Sequence, residues 1–140
     1  MAKLIKRLED AAKSGVYRAS RVDAIEDAVR GSKLSLGCIP LQDVTDKSAL
    51  LRRIAARLGF PGWFGENWDA LEDCLTDLSW RDASAHVLLI ENPKPGDDLG
   101  VLIDILRSSA ESWAARGKPF FAIFLDPGHA LPLPALFRQS

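Results

Sequence analysis

Two continuous apolar runs near the C-terminal end of the chain constrain its fold more than any other feature. His86 to Glu91 (HVLLIE) and Pro119 to Leu125 (PFFAIFL) are typical of strands buried on both faces of a sheet. Between them lies a segment whose apolar residues recur at helical spacings of three and four: Leu99, Ile103, Leu106, Ala110 and Trp113. Strands joined through a helix lie parallel with a right-handed crossover, so the pattern predicts an α/β fold.

One further strand and two further helices complete the predicted core. Lys33 to Leu41 (KLSLGCIPL) is a short apolar run that indicates a third buried strand. Side chains suited to capping precede each helix: Asp46 before Lys47 to Leu58, Asn67 before roughly Trp68 to Leu78, and Asp97 or Asp98 before the last. We therefore expect a small three-stranded parallel sheet packed with helices.

The ends of the chain are expected to lie outside this core domain, which we place at residues 33–126. Leu4 to Lys13 and Arg21 to Arg30 have helical spacing, with Gly15 ending the first helix, and Val16 to Arg18 form a short extended segment between them. The sequence thus predicts an N-terminal helical extension, residues 1–32, packed on the core. Residues 127–140 form a proline-rich tail, which we expect to lie irregularly over the surface.

Composition narrows the class of protein. The 140 residues are 47% hydrophobic and 26% charged with a net charge of −1, so the total charge predicts neither a nucleic-acid partner nor a membrane partner. No apolar run is long enough to span a membrane, and the charged N-terminus is not typical of a signal peptide. Cys38 and Cys74 are expected to be buried thiols in a reducing compartment. We predict a cytoplasmic protein that needs no cofactor or metal.

The modest total charge hides a strongly acidic segment. Between Phe60 and Asp82 there are six acids and one base, Arg81, a net of −5, whereas the rest of the chain sums to +4. On a helical wheel, the core-facing arc holds Trp68, Leu71, Cys74, Leu75 and Leu78. A separate narrow arc holds Glu66, Asp69, Asp73 and Asp77, flanked by Glu72. Like charges four residues apart destabilise a helix, so a positive partner explains this row better than stability does.

Several interpretations of the acidic row stay open at this point. It is a solvated face, a magnesium or calcium site, or a surface for a basic protein, although carboxylates along one helix face surround an ion poorly. Trp63 and Phe64, in the glycine-rich loop just before the helix, cover the sheet edge or serve as aromatic interface anchors.

Catalysis is disfavoured, because no motif brings His86 or His129 near a nucleophile and Cys74 is on the core-facing arc.

The segment from Phe60 to Trp80 (FPGWFGENWDALEDCLTDLSW) resembles the signature of the barstar family, intracellular inhibitors of the ribonuclease barnase. The resemblance extends over about Lys33 to Asp126. It implies a barstar-like fold of three parallel strands backed by helices, with an acidic helix that plugs the active site of a basic, barnase-like ribonuclease. Nucleic-acid binding is disfavoured because the acidic row would repel phosphates, and we expect neither a membrane contact nor a small-molecule ligand.

The resemblance also assigns roles to individual residues. Asp69 and Asp73 match the main inhibitory acids, with Asp73 expected in the pocket that binds a substrate phosphate. Trp63 and Gly65 match loop positions that meet the enzyme. Glu72 stands where the family archetype has a tryptophan, which indicates a different target nuclease. With Glu66, Phe64 and Asp77 these residues form the predicted partner-binding surface. The alternative is an interaction module that keeps the fold but binds another basic protein.

Overall fold

A parallel sheet with helices on both faces forms the centre of the molecule. The computed structural model describes residues 2–30, 32–62, 64–81, 83, 85–94, 96–128 and 131–136. In chain order the elements are α1 (Ala2–Leu8), a 3-10 turn (Ala11–Lys13), β1 (Gly15–Ala19), α2 (Asp23–Val29), β2 (Ser35–Pro40), α3 (Lys47–Leu58), α4 (Trp68–Asp77), β3 (His86–Glu91), α5 (Asp97–Ala115) and β4 (Phe120–Leu125).

The sheet has four strands in the order β1-β4-β3-β2, and every neighbouring pair is parallel. The α/β class and the three core strands are as predicted, but a three-stranded sheet is wrong. The fourth strand is β1, which lies in the N-terminal extension and pairs with β4 from Gly15 opposite Phe121 to Ala19 opposite Leu125. Its five residues include Tyr17 and Arg18 and lack a long apolar run, because an edge strand is only partly buried.

Both faces of the central strands are buried, each against different elements. Alternate residues of a strand point to opposite faces, so Leu88 and Ile90 of β3 pack with α3, α4 and α5. Val87 and Leu89 point the other way and pack with residues of α1 and α2. The extension therefore contributes a strand to the sheet and the cover for its second face.

Two of the predicted helix starts are confirmed and one is wrong. The Asp46 carboxylate accepts a hydrogen bond from Ala49 N at 2.8 Å, as an N-cap does. The start of α4 has the same geometry at Asn67. In α5 the N-cap is Gly96 and makes no side-chain cap, so both predicted capping acids, Asp97 and Asp98, lie in the first helical turn. There their charges face the positive end of the helix dipole.

The start of the chain also departs from the prediction. Helix α1 ends at Leu8, and the separate turn Ala11–Lys13 follows it. Gly15 begins strand β1 rather than ending the helix.

The C-terminal tail closes the outer edge of β1. Arg18 N donates to Pro134 O at 2.8 Å, and Leu136 N donates to Arg18 O at 3.0 Å. Leu136 is buried with the extension, and the Asp126 carboxylate accepts from Leu131 N at 2.8 Å. Residues 131–136 form no helix or strand, but Leu131, Leu133 and Leu136 are buried, so this part of the tail packs into the core rather than lying only over the surface. Residues 137–140 lie outside the described part.

The outer edge of β2 is closed by side chains. In a parallel strand alternate residues direct their backbone groups away from the neighbouring strand, and the bonds from Ser35 N to Ala85 O and from Leu41 N to Glu91 O leave the even-numbered residues facing outward. Three arginines donate to those outward carbonyls: Arg81 Nη2 to Leu36 O at 3.2 Å, Arg57 Nε to Cys38 O at 2.8 Å, and Arg53 Nη1 to Pro40 O. They occupy acceptors that another strand would need.

Candidate functional site

The start of α4 is fixed by Asn67 and the loop that leads into it. Asn67 Oδ1 accepts from Ala70 N at 2.8 Å, and Asn67 Nδ2 donates to Gly65 O at 3.3 Å. A Cβ atom at Gly65 would lie 3.2 Å from Asn67 Nδ2, so this glycine leaves room for the capping side chain. Gly65 is exposed beside the helix.

The inner face of α4 holds the helix against the sheet. Leu71 and Cys74 have no exposed surface, and Leu75 has 1%, which matches the core-facing arc of the wheel. Trp68 is only half-buried, and the Lys47 ammonium lies 5.6 Å from its ring centroid. Leu78 is buried just after the helix, where it adopts a left-handed backbone (φ 48°) and ends α4.

The outer face of α4 carries the acidic row. Asp69, Asp73 and Asp77 are exposed along this one side, and Glu72 is half-buried beside them. Among the described residues, no Lys, Arg or His nitrogen lies within 4.0 Å of the carboxylate oxygens of these four acids. The fold therefore leaves these charges available for external cations.

Glu66 differs from the other acids of the row. It precedes the helix and has a left-handed backbone (φ 52°), so helical periodicity does not set its direction. Its carboxylate lies 3.7 Å from Arg52 Nη1, and both side chains are more than half exposed. Such an exposed pair contributes little to stability and opens at small cost. Glu66 thus stands at the border of the acidic row, partly neutralised by α3.

The aromatic loop is anchored by one of its two predicted contact residues. Phe64 is half-buried, packs on the core and meets Phe60 edge-on, with ring centroids 5.0 Å apart. Phe60 in turn meets Trp80 at 5.7 Å. Trp63, the other predicted contact, lies outside the described residues.

The C-terminal end of α4 is held by two residues that the sequence did not single out for the site. Trp113 Nε1 donates to Leu75 O at 2.8 Å, and Arg116 Nη2 donates to Thr76 O at 2.7 Å. In the sequence, Trp113 was recognisable only as a member of the apolar stripe of the last helix. Nothing in a periodic pattern tells which backbone carbonyl a polar atom of such a side chain will reach.

The groups considered for catalysis are poorly placed for it. His86 is 1% exposed, and neither ring nitrogen has a hydrogen-bond partner among the described residues. Burial, with the nearby charges of Arg81 and Lys118, lowers the pKa of His86 to about 4. Burial, reinforced by Asp73 and Asp77, raises the pKa of the Cys74 thiol, which disfavours a reactive thiolate. His129 lies outside the described residues.

The described residues hold neither a metal-binding cluster nor a membrane-spanning helix. Within this part of the chain, no three or more His, Cys, Asp and Glu side chains are grouped so as to hold a metal ion. Over the same residues no helix has both the length and the apolar character needed to cross a membrane.

The geometry of α4 suits binding of a cationic surface. Carboxylates spaced along a fixed helix can accept charge-assisted hydrogen bonds from arginine and lysine, which are the strongest hydrogen bonds of this kind. A family model described as Barstar (barnase inhibitor) matches residues 34–125, from the residue before β2 to the end of β4. The predicted family resemblance is thereby confirmed. No curated protein matches the chain significantly.

Proposed function

The chain belongs to the barstar family, and from that premise we propose that it is a cytoplasmic inhibitor of a basic, barnase-like ribonuclease. In this proposal α4 enters the nuclease active site and its carboxylates take the place of substrate phosphates. The protein performs no catalysis and needs no cofactor. It contacts neither nucleic acid nor a membrane.

One observation carries this proposal: Asp69, Asp73 and Asp77 are exposed on the outer face of α4 without an ion pair among the described residues. The opposite face of the same helix is held in the core by Leu71, Cys74 and Leu75. Asp69 and Asp73 have no cationic partner within 4.0 Å among the described residues. Carboxylates held four residues apart repel each other and destabilise the helix that carries them. The row therefore costs the fold stability, and this cost is recovered when a basic partner binds.

The chemistry of a ribonuclease supplies the complementary surface. An enzyme that cleaves RNA binds phosphate through arginine and lysine side chains, which also bind carboxylates. Asp73 occupies the phosphate pocket and Asp69 binds beside it, whereas Gly65, Phe64 and Trp63 contact the rim. The barnase–barstar pair is the established example of such a complex, in which long-range electrostatic attraction speeds association. Rapid capture protects the cell that makes the toxic enzyme.

Glu72 and Asp77 set the choice of target. Glu72 is half-buried at the border between the acidic row and the core-facing side, where the family archetype has an aromatic side chain. A carboxylate there favours a nuclease that presents a further cation opposite it, and Asp77 extends the acidic row in the same direction. The proposed target is therefore a relative of barnase with a more basic rim.

Free thiols support the cytoplasmic part of the proposal. Cys38 is half-buried and Cys74 is buried, and both are free cysteines. Free thiols are usual in reducing compartments, whereas secreted proteins of this size often carry disulfides.

Cell rescue tests the proposed function. The chain is co-expressed with each of a panel of basic secreted ribonucleases that includes barnase, and survival is scored. We expect rescue from at least one, and loss of that rescue in the Asp69→Ala, Asp73→Ala double variant. The matched control, Asp97→Ala with Asp98→Ala, removes the same charge from the start of α5 and should rescue like the wild type.

Two outcomes would contradict the proposal. Full rescue by the α4 double variant would show that the acidic helix is not the inhibitory surface. Rescue from none of the nucleases, together with capture of a different basic protein through Asp69 and Asp73, would favour the interaction module instead.

A further inference from the structure

The C-terminal end of α4 obtains its hydrogen-bond partners from α5. The last turn of a helix leaves carbonyl groups without partners inside the helix. Here Leu75 O accepts from the buried indole of Trp113 at 2.8 Å, and Thr76 O accepts from the guanidinium of Arg116 at 2.7 Å. Two consecutive carbonyls are thus bound by two side chains that lie one helical turn apart at the end of α5.

These two side chains also hold each other. The guanidinium carbon of Arg116 lies 4.0 Å from the centroid of the Trp113 ring, a close cation–π contact, and Arg116 Nε donates to Ser112 O at 3.3 Å. Trp113 is 3% exposed, and its ring meets the His86 ring at 5.0 Å and that of Phe120 at 6.4 Å. The exposed Arg116 therefore rests on a platform fixed by the core.

This end of α4 needs a positive charge. The helix dipole is negative at its C-terminal end, and the carboxylates of Asp73 and Asp77 add to that negative potential. The last turn would therefore fray readily if its carbonyls were exposed only to water. Arg116 supplies both a charge-assisted hydrogen bond and a positive charge at this end of the helix.

From this arrangement we propose that Arg116 is a positioning residue of the inhibitory site, which fixes the last turn of α4 and with it the carboxylate of Asp77. The inference rests on the proposed function for its effect on nuclease binding. A preordered last turn spares the complex the cost of ordering it on association, so its contribution appears as slow dissociation.

The two rate constants of binding separate this role from that of an ordinary surface charge. A cation beside the acidic row repels a basic nuclease, so removing it should speed association slightly. If Arg116 also positions the helix, its removal should speed dissociation as well. A residue that acted only through its charge would change association alone.

The experiment compares Arg116→Gln with Arg107→Gln. Arg107 is also an exposed arginine of α5, but its described ion pair is with Asp104 on the same helix at 3.7 Å. Both rate constants are measured at low salt against a panel of purified basic ribonucleases that includes barnase. Amide hydrogen exchange of the free inhibitor is followed over residues 75–78 and over residues 70–73.

For Arg116→Gln we expect dissociation to become about tenfold faster, which corresponds to part of one charge-assisted hydrogen bond, with equal or faster association. Exchange should accelerate at residues 75–78 and stay unchanged at residues 70–73. Arg107→Gln should alter neither dissociation nor exchange. Unchanged dissociation and exchange in Arg116→Gln would overturn the positioning role.

Failure of the proposed function would look different. In that case the wild-type chain would bind none of the ribonucleases. Hydrogen exchange in the free protein would still decide whether Arg116 holds the last turn of α4, because that measurement needs no partner.

Discussion

Helices α3 and α4 lie on the same face of the sheet and have the same layout, yet the fold uses their charges differently. Each begins at a capping side chain, buries an apolar side and ends at a left-handed residue, Gly59 or Leu78. Each carries like charges on its other side, arginines on α3 and carboxylates on α4. Periodicity alone provides no reason to treat one row as structural and the other as functional.

The structure separates the two rows by what their charges contact. Arg53 and Arg57 donate to carbonyls at the edge of β2, and Arg52 lies within 3.7 Å of Glu66. The row on α4 from Asp69 to Asp77 makes no ion pair within the described residues. A row of like charges is therefore not a binding signature in itself. It becomes one when the fold leaves the row without internal partners.

The largest effect that we expect comes from removal of the two central acids of α4. Asp69→Ala with Asp73→Ala should weaken nuclease binding at least about a thousandfold, because the enzyme's cations lose their partners. The free energy of unfolding should stay constant or rise by about 0.3 kcal/mol as the repulsion disappears. Titration calorimetry and urea unfolding measure the two effects. If the double variant instead lost stability and kept its affinity for the nuclease, the two acids would serve the fold, as the arginines of α3 do.

A second test concerns a group that the fold requires to be uncharged. The folded pKa of His86 is lowered to about 4 from an ordinary value of 6.5. Between these values the unfolded chain binds a proton that the folded protein does not, so stability falls as the pH decreases from 6.5 to 4. The full loss attributable to His86 is about 3 kcal/mol.

His86→Leu should remove this part of the pH dependence. Urea unfolding at several pH values is compared between the variant and the wild type, because the difference cancels the carboxylates common to both. If the two curves stay parallel between pH 6.5 and 4, the proton uptake does not belong to His86.

The smallest expected effect is on the basic row. Arg53→Ala with Arg57→Ala should cost about 1 to 2 kcal/mol of stability, since two hydrogen bonds to carbonyl groups at a partly exposed edge are lost. Nuclease affinity should change by less than about threefold, because these arginines serve the fold. Light scattering at high concentration should also show more association through the uncovered edge of β2. A large loss of nuclease affinity would instead show that the arginines of α3 and the acids of α4 belong to one binding surface.

The sequence alone determined the class of the fold and most of its elements. The runs at His86 to Glu91 and at the end of the chain are apolar without interruption because parallel central strands are buried on both faces. The helices on the first face follow from their periodicity, and the caps at Asp46 and Asn67 follow from local side-chain chemistry. The acidic arc of α4 was also visible, because a helix places residues by spacing alone.

Only the tertiary structure determined which separate segments contact one another. Strand β1 was missed as part of the sheet because an edge strand needs no continuous apolar run, and its partner β4 lies about a hundred residues away in sequence. The contacts of the C-terminal tail with β1 and of the three arginines with β2 were not predicted either, because they too join separate elements. The hydrogen bonds of Trp113 and Arg116 to α4 likewise join residues about 40 positions apart. Periodicity encodes which way a side chain points, whereas a long-range contact depends on how separate elements pack.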